Sequence, residues 1–407
     1  MPRIAFTDLL YSWPPNGGAD IDLHHVLTHL QSSGVEVKLF FASIEGADDR
    51  GIADPAALPF PAERIHFERN TYRPDHLAAR FREAVDAFAP QAAFVTHGFA
   101  MKPFLLEALA HLPLASRYFA HELTCARDPR RFKNGAPCHN DYLNTPDICR
   151  ACALESQQPF IATGNHRAWT ADYLAAKAYE PQYHTLALSS LRQARTLIVY
   201  NSTLREELLS FHPDVRVFPG GADVGSVEPQ RQDNTRTIIL MAGRADDPLK
   251  GMEVLNEAGR LLWQQRQDFQ IVVTHYDHAL QTPWLTCAGW RNHAETLALY
   301  NDADIVSVPS VWQEPFGLVA VEAMAAARPV VASDVGGLHD IVRHESTGLR
   351  VPPANAPALA QALARLLDDP ALRQRMGKEG RRVAEAEYDW QRVIATHYLP
   401  LIQEMIA

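Results

Sequence analysis

Two carboxylates, Glu314 and Glu322, stand eight residues apart in a run that reads EPFGLVAVEAMAAARPVVASDVGG over residues 314–337. After Gly317 the apolar residues Leu318, Val321, Met324 and Ala325 recur at helical spacing. A helix is therefore expected to begin near Gly317, with Glu314 in the loop before it and Glu322 roughly two turns along. The first residues of a helix present free backbone N–H groups and attract phosphate. Gly317 has no side chain to block a close approach, so Phe316, Gly317, Leu318 and Val319 become candidate binding residues. A carboxylate accepts hydrogen bonds from sugar hydroxyls. The implied ligand carries sugars and phosphates together. Upstream, Gly243-Arg244 follows the β-rich run 237–241, and Lys250-Gly251 comes shortly after. Two cations at the carboxyl end of a strand neutralise a diphosphate as it departs, the arginine as a planar fork and the lysine as a point charge. Taken singly, each of these residues is as readily a solvated surface group.

Further candidates stand in the first half. Asn16-Gly17-Gly18-Ala19-Asp20 follows the first β-rich run and precedes a helical pattern from Asp22. A glycine-rich turn there lets the backbone approach a ligand, although a tight turn without a ligand uses the same residues. His97 in FVTHGF and His121 in RYFAHEL close two apolar runs. A histidine in such a context is more often a satisfied core residue. The end of a strand in a doubly wound sheet is also where ligands gather.

The elements that must position these groups alternate. Short β-rich runs cover 3–7, 35–41, 92–96, 115–119, 196–200 and 215–218, with helical patterns such as 22–32 and 76–88 between several of them. The second half repeats the scheme with 237–241, 270–274, 304–308 and 330–333. Apolar strands alternating with helices predict parallel sheets built from βαβ units, hence two doubly wound α/β domains. A chain of 407 residues exceeds what one core usually supports. Residues 219–236, PGGADVGSVEPQRQDNTR, nearly lack large apolar side chains and suit a linker.

The stretches flanking the glutamates read YNDADIVSVPSVWQ (300–313) and PVVASDVGGLHDIVRHESTGLRVPP (329–353). Together with the Glu-x7-Glu run, this segment resembles the donor-binding region of family-4 glycosyltransferases, retaining enzymes of the GT-B fold. The resemblance implies two Rossmann-like domains facing across a cleft: a first, acceptor-side domain over 1–218, a donor domain over 237–385, and a C-terminal helix over 386–407 crossing back to the first. It implies transfer of a sugar from a nucleoside-diphosphate sugar to an acceptor hydroxyl, with no divalent metal or other cofactor required for catalysis. Arg244 and Lys250 match the family's donor-phosphate signature, Glu314 its sugar-positioning acid and Glu322 its ribose ligand. The amides of residues 316–319 would bind sugar and phosphate. Gly17 and Gly18 match a first-domain turn that touches donor phosphate or acceptor in relatives. His121 best matches the histidine facing the donor sugar, with His97 on the acceptor side. The nucleotide base is expected near residues 288–291, where Trp290 either lines the pocket or joins the core. One departure is Pro219-Gly220-Gly221-Ala222-Asp223, where relatives carry proline-asparagine-glycine-valine-aspartate. Asp302 and Asp304 look like the metal-binding pair of the other large glycosyltransferase fold, but here they open a predicted strand and are read as non-ligands.

Four of the five cysteines, Cys125, Cys138, Cys149 and Cys152, fall within residues 125–152. The closing C-x2-C spacing fits two ligands of one ion, and a structural zinc site is the preferred reading, with His121 and His139 as substitute ligands. An iron–sulfur cluster or free thiols are the alternatives.

A hydrophobic content of 47% and a charged content of 21% are those of a soluble globular chain. Net charge of −10 gives no basic signature for nucleic acid. No apolar run approaches the roughly 20 residues needed to span a bilayer, and residues 1–13 lack the pattern of a secretory leader. A cytoplasmic enzyme is expected. The basic stretch 127–133 is either a solvated loop or a peripheral contact with anionic lipid at the inner membrane face. Glycans, lipid-linked sugars and small molecules all fit as acceptors. Competing readings are another GT-B activity, such as a sugar epimerase or a phosphorylase, and a non-catalytic nucleotide- or carbohydrate-binding protein. The phosphorylases need a far longer chain, and a pure binder has no use for leaving-group cations.

Overall fold

A computed structural model describes residues 1–47, 50–164, 167–226, 236–275 and 281–407. The chain forms two compact units, one of residues 1–218 with 394–407 and the other of residues 219–393.

The first unit is built on β1 (Arg3–Asp8), β2 (Glu36–Ile44), β3 (Ala62–Phe67), β4 (Ala92–Val95), β5 (Leu114–Arg117), a two-stranded ribbon of β6 (Phe132–Lys133) and β7 (Ala136–Pro137), β8 (Thr196–Val199) and β9 (Val215–Val217). Seven of these run in the order β3-β2-β1-β4-β5-β8-β9, each neighbour parallel to the next. Strands such as AAFV in β4 and TLIV in β8 are buried along their whole length, as parallel strands covered on both faces must be. The register that sets Ile4 against Val37 and Ala92 brings the carboxyl ends of β1 and β4 level, so Asp8 and His97 meet there.

The second unit adds β10 (Thr237–Met241), β11 (Phe269–Val273), β12 (Leu285–Cys287), β13 (Ile305–Val308), β14 (Val330–Ser333) and β15 (Gly348–Val351), ordered β12-β11-β10-β13-β14-β15. All five pairings are parallel. The order reverses between β10 and β13, and the carboxyl ends of these two central strands are where such a sheet offers its crevice.

The predicted strands are present to within three residues at either end. The strands without a forecast are β3, β12, β15 and the two-residue ribbon strands β6 and β7. β3 reads AERIHF and alternates exposed and buried positions at a sheet edge, so its polar residues hid it. β12 and β15 are short edge strands.

Two boundaries differ from expectation. Residues 227–235 of the expected linker lie outside the described residues. The residues just before them are structured: Ala222 N–H donates to the Tyr388 carbonyl at 2.8 Å, and Gly221 lies so close to the Trp390 ring that a β-carbon there would approach it to 2.7 Å. This ties residues 386–393 to the second unit, so the segment that joins the first unit starts at Ile394, not at residue 386. The helix Leu399–Ile406 buries Leu401, Ile402 and Met405, and Tyr398 packs on Phe94 and Phe218. Arg216 reaches Glu404 with two hydrogen bonds of 2.8 and 2.9 Å.

Candidate active site

Of the residues read as donor-binding, Lys250 and the helix start at residues 317–319 lie with Glu314 at the carboxyl ends of β10 and β13. The loop after β13 carries Ser310, Trp312 and Glu314, and the helix Leu318–Ala325 follows from Gly317, whose φ is +117°. Glu322 is the fifth residue of that helix, so it lies one turn in rather than two. The amides of Leu318 and Val319 have no helical carbonyl behind them. Gly337 N–H donates to the Glu314 carbonyl at 2.7 Å and fixes the loop from the next turn of chain.

Lys250 arrives from the loop after β10. Gly251 takes φ +83°, and a β-carbon there would fall 2.0 Å from the Pro309 carbonyl oxygen, so only glycine lets this loop lie against the β13 exit. The contact places Lys250 Nζ 2.7 and 2.9 Å from the two carboxylate oxygens of Glu314. Ser310 Oγ donates to Glu314 Oε2 at 2.9 Å, and Lys250 Nζ stands 5.5 Å from the centre of the Trp312 ring. Glu314, expected to position a sugar, and Lys250, expected to bind phosphate, therefore neutralise each other. Arg244 is exposed on the same loop. A β-carbon on its neighbour Gly243 would lie 3.5 Å from Val319 Cγ2 in the first turn of the helix, so the arginine's loop runs close to the helix start.

Glu322 is buried. Its Oε2 accepts a hydrogen bond from Tyr300 Oη at 2.9 Å, and its Oε1 lies 3.5 Å from His293 Nδ1. Burial pushes its carboxyl up to about 7, against the lowering effect of the Tyr300 bond. Burial also lowers His293, while the charge of Asp223 raises it. Sequence reasoning missed Ser310, Trp312, Tyr300 and His293. The first three sit inside the stretches that flank the glutamates, but spacing alone does not say which side chains point inward.

Residues 226–383 match the family model described as Glycosyl transferases group 1. Arg244, Lys250, Glu314 and Glu322 all fall inside that match. The protein is a glycosyltransferase with the GT-B fold. The glycogen synthase of Mycobacterium tuberculosis is 29% identical over 414 aligned residues, covering 95% of this chain and 92% of that one. The sucrose-phosphate synthase structure from Thermosynechococcus elongatus superposes with a TM-score of 0.68 at 21% identity, over 99% of each chain. The structure of HepE from Anabaena in complex with UDP and glucose gives 0.65 at 15% identity, over 98% of each.

The first unit holds its candidates differently. Gly17 precedes the helix Gly18–Ser32 in an extended conformation, and a β-carbon on Gly17 or Gly18 would meet nothing within 4 Å. Packing does not demand these glycines, and the space above them is open. Asp20 shapes the turn by accepting from the amides of Ser12 (3.2 Å) and Asn16 (2.9 Å). Burial, reinforced by Asp8, lifts the Asp20 carboxyl to about 7.

His97 ends β4 with its amide on Asp8 Oδ2 at 3.1 Å and its ring 4.0 Å from that of Phe119. Its side chain is 14% exposed. His121, expected to face the sugar, is instead enclosed: Nδ1 bonds Thr124 Oγ1 at 3.0 Å and lies 3.9 Å from Glu207. Arg131 of the cysteine-bearing insertion bonds Glu207 at 2.8 Å. Burial drives both histidines down to about 3, so both rings are neutral. The insertion begins directly after His121, and its loop folds over the ring.

The zinc expectation finds no closed ligand set. Among the described residues, no three of Cys125, Cys138, Cys149 and Cys152 bring their sulfurs within 4.8 Å of one another. Two have other partners: Cys152 Sγ accepts from Lys133 Nζ at 3.2 Å, and Cys149 Sγ lies 3.7 Å from Thr145 Oγ1. Burial raises the Cys125 thiol to about 11. The basic stretch is likewise occupied internally, Arg127 on Ser156 and the Phe132 carbonyl, Arg131 on Glu207, Lys133 on Cys152. Asp304 accepts from the Ile238 amide at 2.9 Å and ties β13 to β10, which gives it a structural job. Trp290 is 53% exposed, so it is not core. No helix among the described residues is long and apolar enough to cross a membrane.

Proposed function

We propose that the protein transfers a sugar, with retention at the glycosyl carbon and without a divalent metal, from a nucleoside-diphosphate sugar to the hydroxyl of a glycan or small-molecule acceptor. The observation that carries this reading is the Lys250–Glu314–Ser310 constellation set beside the start of the helix Leu318–Ala325, with Glu322 one turn in. The resemblance supplies the donor class, and the HepE structure with UDP and glucose agrees with it.

In this reading the diphosphate settles on the amides of Leu318 and Val319, with Arg244 and Lys250 supplying positive charge. Lys250 turns from Glu314 to phosphate as the donor enters. The released Glu314 carboxylate then accepts a hydrogen bond from a sugar hydroxyl, so the one exchange arms both groups. The bond from the glycosyl carbon to the phosphate oxygen breaks as Arg244 and Lys250 take up the charge that develops there. The acceptor oxygen bonds the same face of that carbon, and its proton passes to the departing phosphate. No carboxylate of the first unit is required as a nucleophile, and Glu314 is a positioning residue. Glu322 holds the ribose.

The test is nucleotide release from uridine-, guanosine-, adenosine- and thymidine-diphosphate sugars, with and without chelator, with Glu314→Ala as control. One donor cleaved by the wild type, spared by the variant and indifferent to chelator is expected. Activity lost in chelator and restored by magnesium or manganese overturns metal independence. A product of inverted anomeric configuration by NMR overturns retention.

A further inference from the structure

The two oxygens of Glu322 have different surroundings. Oε2 is taken by Tyr300, which is wholly buried. Oε1 faces His293, whose side chain is 40% exposed while that of Glu322 is 5% exposed. Of the two, the histidine is the side chain that meets solvent. The position of His293 is set firmly, because it is the first residue of the helix His293–Asp302. Asn292 caps that helix by accepting from Glu295 N–H at 2.9 Å, and Glu295 accepts in return from Asn292 N–H at 3.0 Å. Such a capping box holds the first turn in place. The imidazole therefore stands at the mouth of a buried carboxylate on a fixed backbone.

We propose that His293 and Glu322 form a two-point clamp for the vicinal diol of the donor's ribose, Glu322 Oε1 accepting from one hydroxyl and the His293 ring bonding the other. The inference rests on the donor reading above and extends it to a residue outside the glutamate run. A carboxylate oxygen and a ring nitrogen 3.5 Å apart suit hydroxyls on adjacent carbons of one ring. Each hydroxyl both donates and accepts, the carboxylate only accepts, and a neutral imidazole offers one nitrogen of each kind. Two neighbouring hydroxyls satisfy that set completely, and a single hydroxyl leaves one member unpaired. A site built this way discriminates strongly against a ligand that lacks the group.

Calorimetric titration with UDP, GDP and ADP identifies the nucleoside diphosphate bound most tightly. That diphosphate and its 2′-deoxy and 3′-deoxy forms are then titrated into the wild type, Glu322→Gln, His293→Ala and His293→Asn, the last retaining a hydrogen-bonding nitrogen near the Nδ1 position. The wild type is expected to prefer the ribose form by about tenfold or more. His293→Ala should lose most of that preference without weakening the deoxy form it contacts, and His293→Asn should recover part of it. If Glu322→Gln abolishes the preference while His293→Ala keeps the wild-type ratio, the clamp is wrong and the donor reading stands. If none of the three diphosphates binds, or Glu322→Gln leaves the ratio untouched, the donor reading fails and the clamp with it.

Discussion

The two units are built on the same parallel-sheet plan, yet they present their chemistry in opposite ways. In the second unit the polar groups gather at the strand ends and bond one another: Lys250 with Glu314, Ser310 with Glu314, Tyr300 with Glu322. In the first unit the glycine turn stands open, and one of the two candidate histidines lies beneath an insertion. The contrast teaches that a strand end in a doubly wound sheet is a location for a site and not a guarantee of one. The segment leaving the strand decides. After β13 comes a short loop and a helix start; after β5 comes a cysteine-bearing excursion that closes over the histidine it was expected to expose.

The contrast is most open to test in the second unit. Glu314→Ala and Lys250→Ala should each lower kcat by two or more orders of magnitude in a donor-turnover assay, because each removes the other's partner as well as a contact that the proposed mechanism requires. Near-normal turnover in both variants would mean that the pair is structural. In the first unit the forecast is a split between two histidines. His121→Ala should destabilise the fold by roughly 1–3 kcal/mol, read as a lowered thermal midpoint, since it empties a buried position and leaves Thr124 without its partner. His97→Ala, at a more open strand end, should act on turnover more than on stability. A His121 variant of unchanged midpoint but lost turnover would restore it as the sugar-facing histidine.

Glu322 supplies a pH-dependent test. Its carboxyl is raised to about 7 in the folded chain by burial, so the folded state holds a proton that the unfolded chain has released between about pH 4.5 and 7. Stability therefore falls as pH rises through that window, and the full penalty is present above it. Glu322→Gln should stabilise the ligand-free protein by up to ~3 kcal/mol near pH 8 and by almost nothing near pH 4. Equal midpoint shifts at both pH values would show that this carboxyl is not perturbed. The smallest effect is expected at Arg216. Its pair with Glu404 is partly exposed, so Arg216→Met should cost at most about 1 kcal/mol by chemical denaturation.

Much of this is legible in one dimension. The βαβ alternation points to both sheets, because strands covered on two faces read as unbroken apolar runs, as VVAS in β14 does. The glutamate run points to the candidate site, because its helix start, glycine and carboxylates lie close together in sequence. Three things stay hidden. A polar edge strand such as β3 carries no unbroken apolar run. The partner of Glu322 at 3.5 Å, His293, is contributed by another helix, and a distance across elements has no signature in either one. The four cysteines show their spacing but not their partners: a thiol that accepts from Lys133 and another beside Thr145 look, along the chain, the same as four ligands of an ion.

The chain's last fourteen residues belong to its first unit, and that has a consequence during synthesis. When residue 218 leaves the ribosome, the wall that Tyr398, Leu401, Ile402 and Met405 will bury does not yet exist. Phe94 and Phe218, which pack on Tyr398 in the finished protein, wait uncovered while all of residues 219–393 are translated. Nascent domains usually mature from the N-terminus onward. Here the order inverts: the half made second can complete its core first, and the half made first is sealed only once residues 394–407 have been added.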